Sequence, residues 1–589
     1  MIRPPGLALT VLAAALALPG TASALETKVT GRLSFGAAFR TEAPDPAMLV
    51  SYNAAAIGLV GMASAGQNTD DANLNFRRGD ATTRALRGYL DVGAKEGAFS
   101  ALLRVKAWHD FALSDHARTW GNNPGNYAAG QPLSDAGGAR LSRFSGVAMA
   151  DAWVQHSMAI GSAKLLGRLG QQSLAWGERA GFAGGLGAIN AVDAPALRRA
   201  GAVPPELRVP APMLFARLDL TPAIGLEGFY QFSFRPSAQD MCGSFWAVTD
   251  YLTQGCDRAF AGPPAVSDRQ RLASGSFLKR SANPTDNDVA QYGAALTFKS
   301  AMLASEFGIY AARYTNRGLL PGLRKSSRVG GAALIPGDAG GLNLSYFTEH
   351  PNDLKMLALT ATHKRGKGML FGELAYRAGQ PVQLPPGDVL PAFLSLAAPS
   401  LLRADANAVA PGGVFHAYDR LNTVQLQVGL QNDWGKAGPF ALSSVVEAIG
   451  KHAMSLPDPA LRRYGRPDQF GGGPVNGVCT VTTTNAARQC SLDGYVSPSA
   501  YAWRLRLDAR VIDVLPALNA TVTAMLVHDV KGWSHDFLIN EGRKTANLAL
   551  RLEYRQRYLA EVVYAPVWGG VYNHQADRDL VSLAAGIRF

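Results

Sequence analysis

The sequence predicts an all-β fold, a transmembrane antiparallel outer-membrane β-barrel of about 18 strands with long extracellular loops. Three observations predict it. The chain ends in a strand with strict apolar alternation, it begins with a secretory signal, and segments of period two recur along its 589 residues. Successive side chains of a strand point to opposite faces, so one face can meet lipid while the other faces water.

The final strand is predicted at 579–589. Its odd positions are apolar and end in an aromatic residue: Val581, Leu583, Ala585, Ile587 and Phe589. Its even positions are small or polar, which suits a wet lumen. A strand of this kind resembles the closing strand of an outer-membrane barrel, in which the terminal Phe is a signal for the barrel-assembly machinery. By itself, the pattern also fits a half-buried strand of a soluble sandwich.

The first 24 residues have the parts of a secretory signal peptide. Arg3 supplies the positive charge, Leu7 to Leu18 form an apolar stretch, and a small-residue cleavage site ends at Ala24. The apolar stretch is too short for a membrane helix, which needs roughly 20 residues. We therefore predict a signal peptide at 1–24 and a barrel at 25–589, located in the outer membrane after cleavage.

Period-two segments occur between the two ends, for example from Val29, Ile224, Tyr501 and Ala546. Short and long links alternate between them if 341–349 belongs to a loop. The long links are predicted at 41–83, 111–145, 173–211, 236–288, 315–354, 378–421, 451–498, 529–543 and 567–578. This alternation predicts 18 strands, within a range of 16 to 20, with both termini and the short turns on the periplasmic side.

Composition and cysteine spacing agree with an exported barrel. The net charge of +12 comes without a basic run or a nucleic-acid motif. It is therefore assigned to the lumen or to contact with outer-membrane lipids and lipopolysaccharide, and no nucleic-acid partner is expected. The cysteines form two close pairs, Cys242 with Cys256 and Cys479 with Cys490, each within one predicted loop. In an oxidising compartment two local disulfides are expected.

One loop is predicted to fold into the barrel. An 18-stranded wall leaves a channel unless something fills it, and most of this chain lies outside the wall. The segment 173–211 has no period-two pattern and is rich in prolines, which cannot join a central ladder. We predict that it forms a hatch, with an external loop capping the barrel as the alternative. The candidate residues on the solute path are Trp176, Gly177, Glu178, Asn190 and Asp193.

Two side chains of this segment have predicted roles. Trp176 offers a flat apolar face with one donor, which suits a sterol or an acyl chain. Glu178 would hold the segment against inward arginines by charge-assisted hydrogen bonds, and anchoring is preferred over contact with the solute.

Basic side chains outnumber acidic ones at predicted inward positions. The candidates are Arg104, Arg168, Arg504, Arg506 and Arg551. A cross-strand ion-pair ladder is the preferred interpretation, and it would contribute a few tenths of a kcal/mol per pair. The alternative is a path that attracts amphiphiles bearing a carboxylate, sulfate or phosphate.

The loops 529–543 and 567–578 are predicted to be neighbours at the mouth of the barrel. His528 and Asp529 would lie at one strand end, and Asp577 and Arg578 at the next. We expect Arg578 to pair with Asp529 as a structural clamp, with a ligand site as the alternative.

The sequence lacks the common motifs of hydrolytic and metal-dependent enzymes. There is no G-x-S-x-G, no H-E-x-x-H and no acidic run with calcium-loop spacing. His528 and Asp529 are adjacent on a strand, so they point to opposite faces. An enzyme, a cofactor and a metal site are therefore not expected.

An ordered set of motifs resembles a proteobacterial outer-membrane family known as a domain of unknown function, number thirteen-hundred-and-two. The motifs include GQQSLAWGE at 170–178, GELAYR at 372–377, HDVKG at 528–532 and WGG at 568–570. The resemblance covers essentially the whole mature chain. It implies a barrel linked with a periplasmic lipid-carrier-like protein and an inner-membrane pump, which moves lipids, sterols or other hydrophobic compounds across the envelope.

We therefore predict a channel or transporter for hydrophobic or amphipathic compounds. The alternatives are a general or anion-biased porin and an outer-membrane lipid-modifying enzyme.

Overall fold

A computed structural model describes most of the chain. The described residues are 25–63, 65–118, 120–121, 130–177, 179, 181–261, 266–284, 289–338, 340–395, 398–479, 488 and 490–589. The predicted signal peptide at 1–24 and the predicted anchor Glu178 lie outside them. Within these residues, no helix has both the length and the apolar character needed to cross a membrane.

Within the described residues, eighteen antiparallel strands form one closed barrel, because the last strand pairs with the first. The strands are β1 Glu26–Arg40, β2 Ala81–Glu96, β3 Phe99–Asp110, β4 Ser145–Ile160, β5 Ala163–Gln172, β6 Ala211–Asp219, β7 Ile224–Gln231, β8 Gln291–Ser300, β9 Ser305–Tyr314, β10 Leu354–Arg365, β11 Gly368–Gln383, β12 Tyr418–Ala437, β13 Phe440–Ala453, β14 Ser499–Leu515, β15 Leu518–Lys531, β16 Lys544–Tyr554, β17 Tyr558–Ala565 and β18 Leu580–Arg588. The predicted fold and strand number are confirmed.

The connections alternate as predicted, with short turns at one end of the barrel and long loops at the other. The segment Ser345–Glu349 is outside the wall, as predicted. It pairs with Leu320–Arg324, which also pairs with Val414–His416 in a small loop sheet. Short links suffice where neighbouring strands turn directly, so the remaining chain is concentrated at the long-loop end.

The long loops contain short elements of their own. The α-helices are Ser51–Ala55, Asp71–Asn75, Phe111–Ser114, Ala194–Arg198, Asp268–Ser274, Pro386–Leu394 and Arg403–Ala408. The 3-10 helices are Pro46–Met48, Arg140–Ser142, Gly185–Ile189, Pro204–Glu206 and Asp468–Phe470. The other short strands are Ala117–Arg118, Gln131–Pro132, Ala191–Val192, Arg208–Val209, Arg258–Phe260, Phe277–Lys279 and Val567–Trp568.

The last strand, β18, pairs with β1 to close the barrel, and its alternating residues face opposite sides of the wall. Leu583 and Ala585 are exposed on the outer face, whereas Ser582 is buried. The backbone N–H of Gly31 donates to the carbonyl of Phe589 at 2.8 Å, and the Phe589 N–H donates back to Gly31 at 3.1 Å. A Cβ on Gly31 would lie 2.4 Å from the Phe589 ring, so this position requires a glycine.

The outer wall carries a band of exposed aliphatic side chains between two sets of exposed aromatics. At the short-turn end the aromatics are Phe99, Phe440, Tyr554, Tyr558 and Phe589. At the long-loop end they are Tyr230, Tyr292, Tyr501 and Trp568. An apolar band between aromatic girdles is the surface of a barrel that faces lipid.

The long loops pack on one another above the barrel. Residues from four of the loops share one buried cluster, which includes Tyr251, Tyr346, Phe393, Phe415 and Tyr464. The disulfides Cys242–Cys256 and Cys479–Cys490 are formed within single loops, as predicted. The loops are therefore a packed layer with its own core and cross-links.

Candidate functional site

The segment 173–210, which joins β5 to β6, folds into the lumen, and we call it the hatch segment. Its backbone is bound by wall side chains from both halves of the barrel. Gly181 N donates to Glu447 Oε1 and Leu186 N donates to Glu373 Oε1, each at 2.9 Å. On the opposite side, Arg87 Nη2 on β2 donates to Ala200 O at 2.7 Å. The prediction of an inward-folded loop is confirmed.

Trp176 anchors the first half of the hatch segment. It is 3% exposed, and its indole Nε1 donates to Glu227 Oε2 on β7 at 2.8 Å. Its ring makes edge contacts with Phe229 and Tyr310, at centroid distances of 5.3 and 5.2 Å. An aromatic with its donor satisfied and its ring packed against the wall stabilises the closed position.

Gly177 and Asn190 shape the same half into a compact loop. Gly177 has φ +74°, and a Cβ there would lie 2.8 Å from Gly187 N, so both conformation and space require a glycine. The Asn190 side chain accepts from Leu174 N at 3.0 Å and donates to Leu174 O at 2.9 Å. These contacts join the two ends of 174–190.

Asp193 anchors the second half. Its carboxylate lies 2.6 Å from Lys106 Nζ on β3, and both side chains are buried. It also accepts from Ala196 N at 3.0 Å, which caps the helix Ala194–Arg198. Nearby, Glu206 is 2.9 Å from Arg87. Two buried ion pairs therefore hold this half to β2 and β3.

Four wall residues of this site were missed by sequence reasoning: Lys106, Glu227, Glu373 and Glu447. Each is a charged side chain on a strand, and no local sequence signal identifies its partner. The only available signal is the inward position of a charged side chain on a strand.

Different parts of the hatch segment line two cavities: residues from Ser173 to Gly177 line one, and Ala194 and Arg198 line the other. The inner cavity, of about 470 Å³, extends toward the short turns and is lined by Trp176, Arg168, Arg217, Tyr310 and Glu373 among others. The outer cavity, of about 810 Å³, lies among the long loops and is lined by Trp246, Leu252, Arg377, Phe537 and Leu538 among others. Glu373 and Arg377 on β11 line different cavities, and four residues of a strand span about 13 Å.

Three of the five lumen arginines, Arg104, Arg504 and Arg506, form ion pairs among the described residues. Arg104 lies 2.5 Å from Asp91 and 2.9 Å from Asp151. Arg168 donates to Gln155 Oε1 at 2.5 Å and stacks over Trp153. Arg504 binds Glu447, and Arg506 binds Asp508 at 2.8 Å on its own strand. Arg551 lies opposite Glu561 in the strand register.

The predicted pairing of Arg578 with Asp529 is wrong. Asp529 is bound by Arg543 at 2.7 Å, which follows it on the same loop. Arg578 donates to the Phe245 carbonyl at 2.5 Å and stacks over that ring. Asp577 is bound by Arg40 at 2.7 Å. A nearby local cation satisfies Asp529, so Arg578 is free to reach a different loop.

The loops 529–543 and 567–578 are neighbours, as predicted, because Asn540 Nδ2 donates to Tyr572 O at 2.8 Å. His528 and Asp529 are adjacent on β15 and point to opposite faces, and the His528 ring lies edge-on to Trp503 with ring centroids 6.1 Å apart. Burial lowers the pKa of Arg578 to about 10, so this side chain is charged at neutral pH.

Three crystal structures are similar to this chain across nearly its whole length. A BenF-like porin from Pseudomonas fluorescens Pf-5 has 7% identity and a TM-score of 0.41, covering 96% of this chain and 98% of that chain. OccAB4 of Acinetobacter baumannii has 11% identity and a TM-score of 0.40, covering 96% and 97%. OpdK of Pseudomonas aeruginosa, crystallised with vanillate, has 9% identity and a TM-score of 0.36, covering 95% and 98%.

Similarity this distant transfers neither a solute nor a mechanism. No curated protein matches the chain. The family described as "Protein of unknown function (DUF1302)" matches residues 5–589, which confirms the resemblance found in the motifs. The chain therefore belongs to the DUF1302 family.

Proposed function

We propose that this protein is an outer-membrane channel for hydrophobic or amphipathic compounds, and that the hatch segment controls passage through it. One observation carries the proposal: a segment anchored to both halves of the wall lines an inner cavity with its first half and an outer cavity with its second half. The exposed apolar band between aromatic girdles supports a location in the outer membrane. The short turns would then face the periplasm.

The outer cavity has the chemistry to bind an amphiphile. Trp246, Leu252, Phe537 and Leu538 give it apolar walls, which suit an acyl chain or a fused ring system. At its base, Arg377 Nε is buried and has no hydrogen-bond partner among the described residues. A carboxylate, sulfate or phosphate group of the solute would satisfy this donor.

His535 keeps Arg377 in position. Arg377 Nη2 lies 3.0 Å from His535 Nε2. Burial lowers the pKa of His535 to about 3, so its imidazole is neutral and can accept this hydrogen bond. Among the described residues Arg377 forms no salt bridge, although Glu373 and Asp536 are close enough to interact with its charge, so its Nε remains available to the solute.

The inner cavity continues the same chemistry toward the short turns. Tyr310 and Phe371 supply aromatic surface, and Arg168, whose side-chain partner is the neutral Gln155, supplies positive charge. The hatch segment lines both cavities and is held by hydrogen bonds and ion pairs, not by the barrel ladder. It can therefore move without breaking the wall. A periplasmic lipid carrier and an inner-membrane pump would exchange the solute at the short-turn end.

An anion-biased porin has less support as an alternative. Its lumen arginines would need to be available to ions, yet Arg104, Arg504 and Arg506 are each bound to a carboxylate. Such pairs lower the attraction for a passing anion, and the hatch segment obstructs the lumen.

Flux into proteoliposomes tests the proposed solute class. A fluorescent long-chain fatty acid is the probe, and an uncharged sugar of similar size is the comparison. We expect saturable uptake of the fatty acid and little uptake of the sugar. Arg377→Ala should raise the fatty-acid concentration at half-maximal uptake about tenfold, because a charged hydrogen bond contributes about 1.5–3 kcal/mol. Arg313→Ala, which removes an outer-wall arginine paired with Asp353, is the matched control and should leave uptake unchanged.

Equal uptake of the sugar and the fatty acid by the wild-type protein would contradict the proposed solute class. An unaltered half-saturation in Arg377→Ala would contradict the role of the outer cavity.

A further inference from the structure

A cluster of buried aspartates lies among the long loops, outside the lumen. Asp70 and Asp71 come from the loop after β1, and Asp250 comes from the loop after β7. Their exposed fractions are 0%, 1% and 0%. One carboxylate oxygen from each lies within 4.8 Å of the other two. Three buried carboxylates in one place repel one another unless a positive charge joins them.

Two of the cluster's oxygens have no donor. Oδ2 of Asp71 and Oδ1 of Asp250 are buried and accept no hydrogen bond from the described residues. By contrast, Asp70 accepts from Val50 N at 3.1 Å and from the Asn53 amide at 3.3 Å. Buried polar atoms in native proteins nearly always have partners, so the two oxygens point to a ligand that supplies one.

The protein supplies little compensating charge. The neighbouring Asp268 has its own partner, Arg271, at 2.8 Å. Within the described part of the chain, no basic side chain forms an ion pair with Asp70, Asp71 or Asp250. Arg578 interacts electrostatically with Asp250, but its guanidinium donates to the Phe245 carbonyl.

We propose that Asp70, Asp71 and Asp250 bind one divalent cation, and that the cation is calcium. Calcium takes oxygen ligands at 2.3–2.6 Å, so oxygens of one site lie up to about 5 Å apart, as these do. Magnesium prefers to keep several of its waters, which a fully buried site does not favour. Zinc prefers His and Cys ligands, and the cluster has neither.

The site would join two loops that are far apart in sequence. Asn68 already links them, because its amide donates to Phe260 O at 2.9 Å and its carbonyl accepts from Phe260 N at 2.6 Å. The Cys242–Cys256 disulfide encloses Asp250. A cation at this point would stabilise the packed loop layer around the outer cavity. In its absence, burial and repulsion raise the pKa of Asp250 to about 8, so proton sharing is the competing arrangement.

Equilibrium dialysis with radioactive calcium tests the proposal on the full-length protein in detergent, after treatment with EDTA. We expect one calcium ion bound per chain at millimolar calcium, and a rise in the temperature at which the barrel band shifts on gels. The double variant Asp71→Asn with Asp250→Asn should lose both effects. The matched control Asp458→Asn, at an exposed loop aspartate, should keep both.

Absence of bound calcium in the wild-type protein would overturn the proposal. So would a double variant that binds calcium as the wild type does. If the double variant does not fold, Asp71→Asn alone is measured, and it should bind calcium at least tenfold more weakly. A third outcome would also contradict the proposal: calcium does not change the stability of the wild-type barrel, and the double variant is more stable than the wild type. The aspartates would then share protons instead of binding an ion.

Discussion

Deleting residues 176–190 is expected to open the channel. The deletion removes Trp176 together with the backbone groups bound by Glu373 and Glu447. No segment would then be anchored across the lumen at these strands. An unobstructed 18-stranded barrel encloses an aqueous channel. Single-channel recordings in planar bilayers should show small, intermittent currents for the wild type. The deletion variant should show a steady conductance larger by roughly an order of magnitude.

The matched control removes chain from an outer loop. Residues 331–337 are exposed or half-buried and lie outside the lumen. Their deletion should leave the wild-type conductance unchanged, while both variants should keep the heat-modifiable band of a folded barrel. Identical conductance in the 176–190 deletion and the wild type would mean that the segment does not obstruct the lumen.

Asp193→Ala is expected to release the second half of the hatch segment. Lys106 would be left buried without its partner, and the helix Ala194–Arg198 would lose its cap. Breaking a buried ion pair by removing one partner costs about 3–5 kcal/mol. Limited proteolysis from the periplasmic side, with mass spectrometry, should show cleavage within 173–210 in the variant and protection in the wild type.

Two comparison variants separate this effect from a general loss of charge. In Lys106→Ala with Asp193→Ala no unpaired charge remains, so protection should be partly restored. In Asp508→Ala the lost pair with Arg506 is partly exposed, and the cost should be about 1 kcal/mol or less. Equal protection of the segment in wild type and Asp193→Ala would show that this pair is not an anchor.

The wall could be predicted from the sequence because its signal is local. Alternation along a strand depends only on which side faces lipid, so each strand carries its own evidence. The strand at 579–589 shows this directly, with Leu583 outside and Ser582 inside. The alternation of short and long links predicts the topology of the barrel, and it also places 345–349 outside the wall. Proline content and the lack of alternation were enough to identify the hatch segment.

The contacts of the site could not be predicted because they join residues far apart in the chain. Glu447 meets Gly181 across 266 positions, and Arg578 meets Phe245 across 333. Strand adjacency alone predicts that Arg578 pairs with Asp529, yet Arg543 is nearer to Asp529. The aspartate cluster could not be predicted for the same reason. Asp71 and Asp250 have no calcium-loop spacing, and only the packing of the loops brings them together.

The accessibility of introduced cysteines tests most directly whether the hatch segment separates the two cavities. The native cysteines are all in disulfides, so a single new thiol can be followed. Val248→Cys places it in the outer cavity, at a side chain that is 52% exposed, and Thr360→Cys places it in the inner cavity. A membrane-impermeant thiol reagent added outside intact cells should label Val248→Cys rapidly. It should label Thr360→Cys only when 176–190 is deleted. Equally rapid labelling of both positions with the hatch segment intact would contradict the proposed division of the lumen.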